Sequence, residues 1–396
     1  MHSMNRTTKL KINGLNRQEL VVVGILVVMV AVITAQRFLL GQATYYNNFL
    51  IIKQSFYHLI GNKDLYQLYP GEYFDYYKYS PSFALVMAPI AFLPNVPGLF
   101  LWNLLNVLVL FFALLKLPGQ TDRTRLFLLG FILPALITSL QNSQSNCLIA
   151  GLLILSFILL EKKQIAFASL LIVITIFIKI FGIVALSVFL FYPHKLKAVF
   201  YTILWIVILA ILPLMVVSFS QLIHLYQSWS YLLMNDQQSS WGISVSGLLH
   251  AIFDFKFKTG ILLVGVVLFC LPLLKYRFFS DLKFRLFFLS SILIWTVIFN
   301  HKAESPTFII AITGVAIWFF SQKLKTVNVI LVILAFFLSV LSPTDLFPAV
   351  IRKNLIAPYN LMVLPCILIW LKIIFDLLFY RKDTKETSFT SAVRTE

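Results

Sequence analysis

Apolar runs follow one another from Leu20 to Phe379, and the polar gaps between them are of two kinds. One kind is basic: Lys116 to Arg125, Glu161 to Lys163, His194 to Lys197, Lys275 to Arg285, Lys323 to Lys325 and the stretch from Arg381 onward. The other carries amides, aromatics and carboxylates. Lysine and arginine collect in loops on the cytoplasmic side of a membrane. Placing every basic gap inside yields crossings at 20–36, 97–115, 126–140, 147–160, 164–178, 180–192, 198–218, 258–274, 286–300, 305–321, 327–343 and 356–379. The pattern predicts an all-α polytopic membrane protein of about twelve transmembrane helices, several of them shorter than the ~20 residues of an upright span. Two apolar stretches do not fit as crossings. Residues 80–94 are short and bracketed by Pro81, Pro89, Pro94 and Pro97, so they are expected to dip and return. Gly247 to Phe253 is expected as a half-helix within an outer loop over 220–256. Broken segments of this kind persist at membrane depth where protein or a wet cavity shields their backbone.

The first outer loop, 41–79, is the longest polar and aromatic stretch between apolar runs. Within it Phe49, Ile52, Phe56, Leu59 and Ile60 recur at spacings of three and four, and Gly61 follows as a stop. That spacing predicts an amphipathic helix over Asn47 to Ile60, lying on a membrane surface. Tyr66, Tyr69, Tyr73, Tyr76, Tyr77 and Tyr79 then favour the headgroup level, with Asp64, Glu72, Asp75 and Lys78 among them. The competing reading of the loop is an interfacial aromatic belt with solvated charges.

Composition agrees with this picture and excludes others. The chain is 60% hydrophobic and 12% charged, against about 25% charged in soluble domains. A net charge of +17 would suggest nucleic acid in a soluble protein. Here the cations sit in the gaps between crossings, so no nucleic-acid partner is expected. Cys147, Cys270 and Cys366 each lie within an apolar run and imply neither a disulfide framework nor a zinc site. Arg6, Lys9, Lys11 and Arg17 precede the run from Leu20 to Ala35, which is long for a secretory signal and lacks a convincing cleavage site. It is expected as a retained first helix with a cytoplasmic N-terminus. One transmembrane domain over 1–380 is expected, followed by a polar cytoplasmic tail at 381–396.

The same charge rule gathers four more polar groups on the side of the first loop. They are the run Gln141 to Asn146, Lys179 at the turn of the 164–192 hairpin, the loop containing Trp241, and Asn300 to Glu304. An ionisable residue flanked by apolar sequence, as Lys179 is, is costly and points to function. Each group also has a plainer reading. Lys179 can snorkel to the interface, His301 and Glu304 can cap the helix beginning near Pro306, and the amides can bond one another across helices.

These motifs together resemble glycosyltransferase family 87, within the GT-C superfamily of membrane transferases that take sugars from polyprenyl-phosphate donors. The resemblance rests on Asn48, Gly61, Asp64-Leu65-Tyr66 and Tyr79-Ser80-Pro81 in the first loop, Ser143-Gln144-Ser145-Asn146 at a helix start, Lys179-Ile180-Phe181-Gly182 at a hairpin turn, and His301 to Pro306. It implies a GT-C-like fold and an inverting hexosyl- or mannosyl-type transferase. The enzyme would move a hexose or pentose to a lipid or glycan acceptor on the extracytoplasmic face of the plasma or inner membrane. The family's first-loop Asp, its base, is matched here by Asn48, which has no basic lone pair.

Such chemistry needs a group that stabilises the leaving phosphate, for which Lys179 is the candidate, and a base on the acceptor hydroxyl. The candidates for the base are Asp64, Asp75, His301 and Glu304, with Asp64 favoured by its place in the first loop. Asn47, Asn48, Lys78, Gln144, Asn146 and Lys179 are the expected substrate-binding residues. No cofactor or metal is called for, the lipid-linked donor being a substrate, and membrane lipids and a glycan or glycolipid acceptor are the other expected partners. A transporter or flippase of lipid-linked saccharide would use the same cavity without a base, although no internal repeat is visible. An O-antigen-type ligase or polymerase would want a late, arginine-rich outer loop, and Ser342 to Asn354 carries only Arg352 and Lys353.

Overall fold

The computed structural model describes residues 16–40 and 43–382, with the backbone alone at 43–44 and 236–239. Arg6, Lys9, Lys11 and the expected tail from 383 lie outside the described residues. Among those residues all regular structure is helical. Six helices are long and apolar enough to cross a membrane: Arg17–Leu39, Asn95–Leu115, Asp122–Gln141, Lys195–Met215, Lys258–Phe278 and Leu361–Leu378. Shorter apolar helices cover Asn146–Glu161, Ile165–Ile178, Ile180–Phe191, Ser305–Phe320 and Thr326–Leu341. Each expected crossing overlaps one of these or the helix Leu282–Ile298.

Local chemistry sets where the helices begin. The first, α1 (Arg17–Leu39), is capped by Asn16, whose side chain accepts from the Glu19 N–H (2.9 Å) while Glu19 accepts from the Asn16 N–H (2.7 Å). Helix α2 (Asn47–Ile60) has the predicted bounds and stops at Gly61. It buries Phe49, Ile52, Phe56 and Leu59 as expected, but also Leu50 and Ile51, while Ile60 is exposed. The extra burial arises because α2 packs on two short helices, α3 (Pro81–Val86) and α4 (Ala88–Ala91). These pieces of six and four residues are too short to cross. Hydrogen bonds tie both ends of the segment to other helices. The Ser80 N–H reaches the Phe177 carbonyl at 3.1 Å, and Lys53 of α2 donates to the Leu93 carbonyl (2.7 Å) and to Asn95 (2.8 Å). The segment is thus folded into two short helices packed on α2 rather than into one span.

The chain continues through α5 (Asn95–Leu115), α6 (Asp122–Gln141), α7 (Asn146–Glu161) and α8 (Ile165–Ile178). After Lys179 it turns back as a 3₁₀ helix over Ile180–Phe191. The 3₁₀ form lengthens the returning arm: its twelve residues rise ~24 Å, where an α-helix of the same twelve would reach ~18 Å, beside ~21 Å for the fourteen residues of α8. Lys179 stands at the apex of this hairpin.

The basic gaps meet at one end of the molecule. Arg285 forms a two-pronged pair with Glu161 (2.7 and 2.8 Å), the Tyr192 hydroxyl donates to the same carboxylate, Gln120 donates to Ser321 (2.8 Å), and Tyr380 packs on Phe278 and Phe284. The remaining loops meet at the opposite, polar end, which also holds α9's C-terminal end (α9, Lys195–Ile211), α10 (Phe219–Ser239) and the nine-residue α11 (Val245–Phe253). The half-helix expected at 247–253 is α11. Helix α10 occupies most of the expected outer loop and is a finding of the structure.

Candidate active site

At the polar end an ammonium, two amides and a carboxylate touch in series. The Lys179 ammonium donates to Asn146 Oδ1 (2.9 Å), Asn146 Nδ2 donates to Gln144 Oε1 (2.7 Å), and Gln144 Nε2 donates to Glu304 Oε2 (2.9 Å). Each link follows from where the chain turns. Lys179 is the hairpin apex, Asn146 opens α7, Gln144 lies in the turn before it, and Glu304 precedes the Ser305–Thr307 turn that leads into the next helix. The Glu304 N–H donates to Thr307 Oγ1 (3.3 Å), so the backbone of Glu304 helps start that helix while its side chain faces the amides. Glu304 therefore takes part in a helix start through its backbone and bonds Gln144 through its side chain.

Glu304 also lines a cavity of about 610 Å³ with Asn142, Thr138, Trp241, Pro343 and Asn360. One wall is fixed by close backbone contact. The Ile243 N–H donates to the Ala303 carbonyl (2.8 Å), Ser240 Oγ donates to the His301 carbonyl (2.9 Å), and Gly242 has φ +56°. A Cβ on Gly242 would lie 2.5 Å from the His301 carbonyl oxygen, so this approach requires glycine. Trp241 is held between the His250 ring, stacked at 4.0 Å, and the Lys258 ammonium, 4.2 Å from its centroid.

The first loop packs on this centre. Asn48 Nδ2 donates to the Asn142 carbonyl (2.9 Å). Asn47 is engaged at both ends of its amide with the Phe74 backbone and acts as a clamp on the loop (Phe74 N–H to Oδ1, 2.7 Å). Half of the six tyrosines expected at the headgroup level turn inward: Tyr66, Tyr73 and Tyr77 are buried. Their hydroxyls explain why, since each reaches a partner inside the loop. Tyr66 donates to the Tyr79 carbonyl (2.9 Å) and Tyr77 to the Ser80 carbonyl (2.8 Å), while Tyr73 meets His58 at 3.5 Å. Burial pushes the Tyr79 phenol up to about 12, with Glu304 and Asp75 acting in the same direction, so it remains an uncharged hydroxyl.

The other expected site residues are divided. Lys78 pairs with Asp75 (3.1 Å), and Asp75, at φ 78°, also accepts from the Tyr76 N–H (2.7 Å). Lys78 and Glu304 both act electrostatically on Lys179. His301 contributes its carbonyl to the Ser240 contact. Asp64 is held elsewhere, against α10, by Ser228 Oγ (3.0 Å) and His224 (3.6 Å), and the Tyr66 N–H binds its other oxygen (3.0 Å). Lys179, Asn146, Gln144 and Glu304 are thus brought together directly, Asn48 joins them through Asn142, and Asp64 faces a different groove. The sequence reading missed His224, Ser228 and Gly242. The first two had a signal, a polar stripe at spacings of three and four in 224–235.

Apolar helices of membrane-crossing length that enclose a polar centre at one end define an integral membrane protein. Residues 77–343 match the family model of glycosyltransferase family 87, well over half of the chain. The chain belongs to that family and is a membrane glycosyltransferase. No curated relative matches it.

Proposed function

We propose that the protein transfers a hexose or pentose from a polyprenyl-phosphate donor to a lipid or glycan acceptor on the extracytoplasmic side of the cell membrane, with inversion at the sugar carbon. The observation that carries this reading is the series Lys179, Asn146, Gln144, Glu304, which holds a cation and a carboxylate at the two ends of a short amide bridge. In the proposed step the acceptor oxygen bonds to C1 as the C1–O bond to phosphate breaks. The acceptor proton passes to Glu304, and the bonding pair leaves with polyprenyl phosphate, whose added charge Lys179 stabilises. Gln144 and Asn146 hydrogen-bond the sugar phosphate between them, Lys78 adds positive potential, and Asn48 keeps the amide run in register. Glu304 is preferred to Asp64 as the base because its carboxylate lies on the bridge to Lys179 and on the cavity, whereas Ser228 and His224 hold Asp64 against α10 and the Tyr66 N–H binds its other oxygen. With the basic end in the cytoplasm, a GT-C-like bundle of about twelve crossings would present this centre outside.

The test is release of polyprenyl phosphate by the purified enzyme from polyprenyl-phosphate mannose, glucose and arabinose. Glu304→Gln is expected to lower turnover about 10²–10⁴-fold, and Lys179→Met about 10²–10³-fold, at unchanged expression. Near wild-type turnover in both variants would sink the reading. If no donor releases its lipid phosphate while lipid-linked saccharide crosses vesicles containing the protein, the transporter replaces the transferase.

A further inference from the structure

A second groove at the polar end takes no part in the step above. It lies between the first loop and α10 and has a volume of about 770 Å³. Its α10 wall is the stripe His224, Gln227, Ser228, Tyr231 and Asn235, which recurs every three or four residues and so forms one face of that helix. Asp64, Tyr66 and Tyr76 form the opposite wall. Asp64 Oδ1 accepts from the Tyr66 N–H and Oδ2 from Ser228 Oγ, each at 3.0 Å, with His224 Nε2 3.6 Å from Oδ2. Each carboxylate oxygen retains acceptor capacity toward the groove. Tyr231 is 73% exposed, and its ring has open face to offer.

This lining selects among ligand classes. It holds a carboxylate and no lysine or arginine, so it disfavours phosphates and acidic peptides. A hydrocarbon chain would strip water from its amides and from the remaining acceptor positions of its carboxylate without replacing those hydrogen bonds. A saccharide satisfies both conditions. Its neighbouring hydroxyls donate to a carboxylate and exchange hydrogen bonds with amides, and the C–H face of a pyranose packs on aromatic rings. We infer that the groove binds the saccharide part of the acceptor, with Asp64 as the hydroxyl-binding carboxylate rather than the base. The word acceptor rests on the transferase reading above; the saccharide site does not. The first loop joins groove and reaction centre, since the Tyr66 hydroxyl donates to the Tyr79 carbonyl (2.9 Å) and Trp229 Nε1 of α10 to the Lys78 carbonyl (3.3 Å). A glycan seated at Asp64 therefore lies one loop segment from Lys78 and Tyr79.

The experiment is saturation-transfer NMR on the full chain in phosphatidylcholine nanodiscs, with methyl α-mannopyranoside, methyl β-glucopyranoside and methyl β-galactopyranoside as probes. Transfer to the ring protons of at least one probe is expected. Gln227→Ala and Tyr231→Ala, both at exposed positions that leave the fold intact, and Asp64→Asn should each weaken binding about tenfold. In turnover assays Tyr231→Ala should raise the acceptor KM with kcat kept. Lys179→Met and Glu304→Gln should leave glycoside binding unchanged while removing turnover, which separates failure of this site from failure of the transferase reading. No transfer to any of the three probes, or transfer that survives both Gln227→Ala and Tyr231→Ala, overturns the inference and leaves the groove as an interfacial surface.

Discussion

In the proposed mechanism Asn48 and Glu304 divide work that a single first-loop carboxylate would do. Asn48 Nδ2 donates to the Asn142 carbonyl, a contact that an aspartate cannot make because it has no proton to give. Asn48→Asp would set a carboxylate against a carbonyl oxygen in a half-buried position. It is therefore expected to lower thermal stability by about 1–3 kcal/mol and not to raise turnover, both read on purified protein. His58 offers a pH test at the same scale. Its ring nitrogen lies 2.9 Å from Glu72, yet burial of the ring lowers its pKa more than Glu72 raises it. A histidine whose folded pKa lies below the unfolded value, about 6.5, binds its proton more readily when unfolded. Its contribution to stability is present above about pH 6.5, declines as pH falls through the window between the two values, and then levels off. Melting temperature followed from pH 8 to 5 should fall through that window, and His58→Gln should remove that part of the decline.

At the scale of elements, the hairpin of α8 and the 3₁₀ arm decides where the Lys179 ammonium stands. Gly182 lets the returning arm pass against α8, since a Cβ there would lie 2.5 Å from Thr175 Oγ1 and 2.9 Å from the Thr175 carbonyl carbon. Gly182→Ala must push the arms apart. It is expected to cost about 1–3 kcal/mol in stability and to lower turnover by moving Lys179 from Asn146, with kcat reduced more than KM. An unchanged kcat would show that the apex tolerates displacement. The hairpin itself was legible, because a lone lysine between two apolar runs under parity allows little else. The 3₁₀ form of its second arm was not, because periodicity does not report rise per residue. The bounds of α2 were equally legible from its apolar spacing and Gly61, and the inward turn of Tyr66, Tyr73 and Tyr77 was not. A tyrosine suits an interface and a core alike, and the choice depends on carbonyls that only the folded loop supplies. The same holds for the proposal that prefers Glu304 to Asp64. Sequence order favoured Asp64 for its loop, while the contact on which the proposal rests joins positions 160 residues apart.

Over the whole molecule, two ends of opposite chemistry follow from one rule about loops. The basic gaps were assigned a common side from charge alone, and the fold joins several of them physically through Glu161, Tyr192 and Arg285. The loops left over meet at the other end, joining positions as distant as Asn48 and Asn142, Gln144 and Glu304, and Ser240 and His301. Such long-range pairings do not form if the number of crossings between any two of these loops is odd. The whole arrangement is therefore testable by sidedness. Single cysteines at Glu72 and His301, in a background with Cys147, Cys270 and Cys366 replaced by alanine or serine, should both react with a membrane-impermeant maleimide applied from outside intact cells. Cysteines at Lys163 and Lys323 should react only after permeabilisation. Glu72 and His301 reporting on opposite sides would separate the first loop from Glu304 and remove the shared centre. All four positions inverted together would keep the centre intact but turn it toward the cytoplasm, where a nucleotide-linked donor becomes the one to assay.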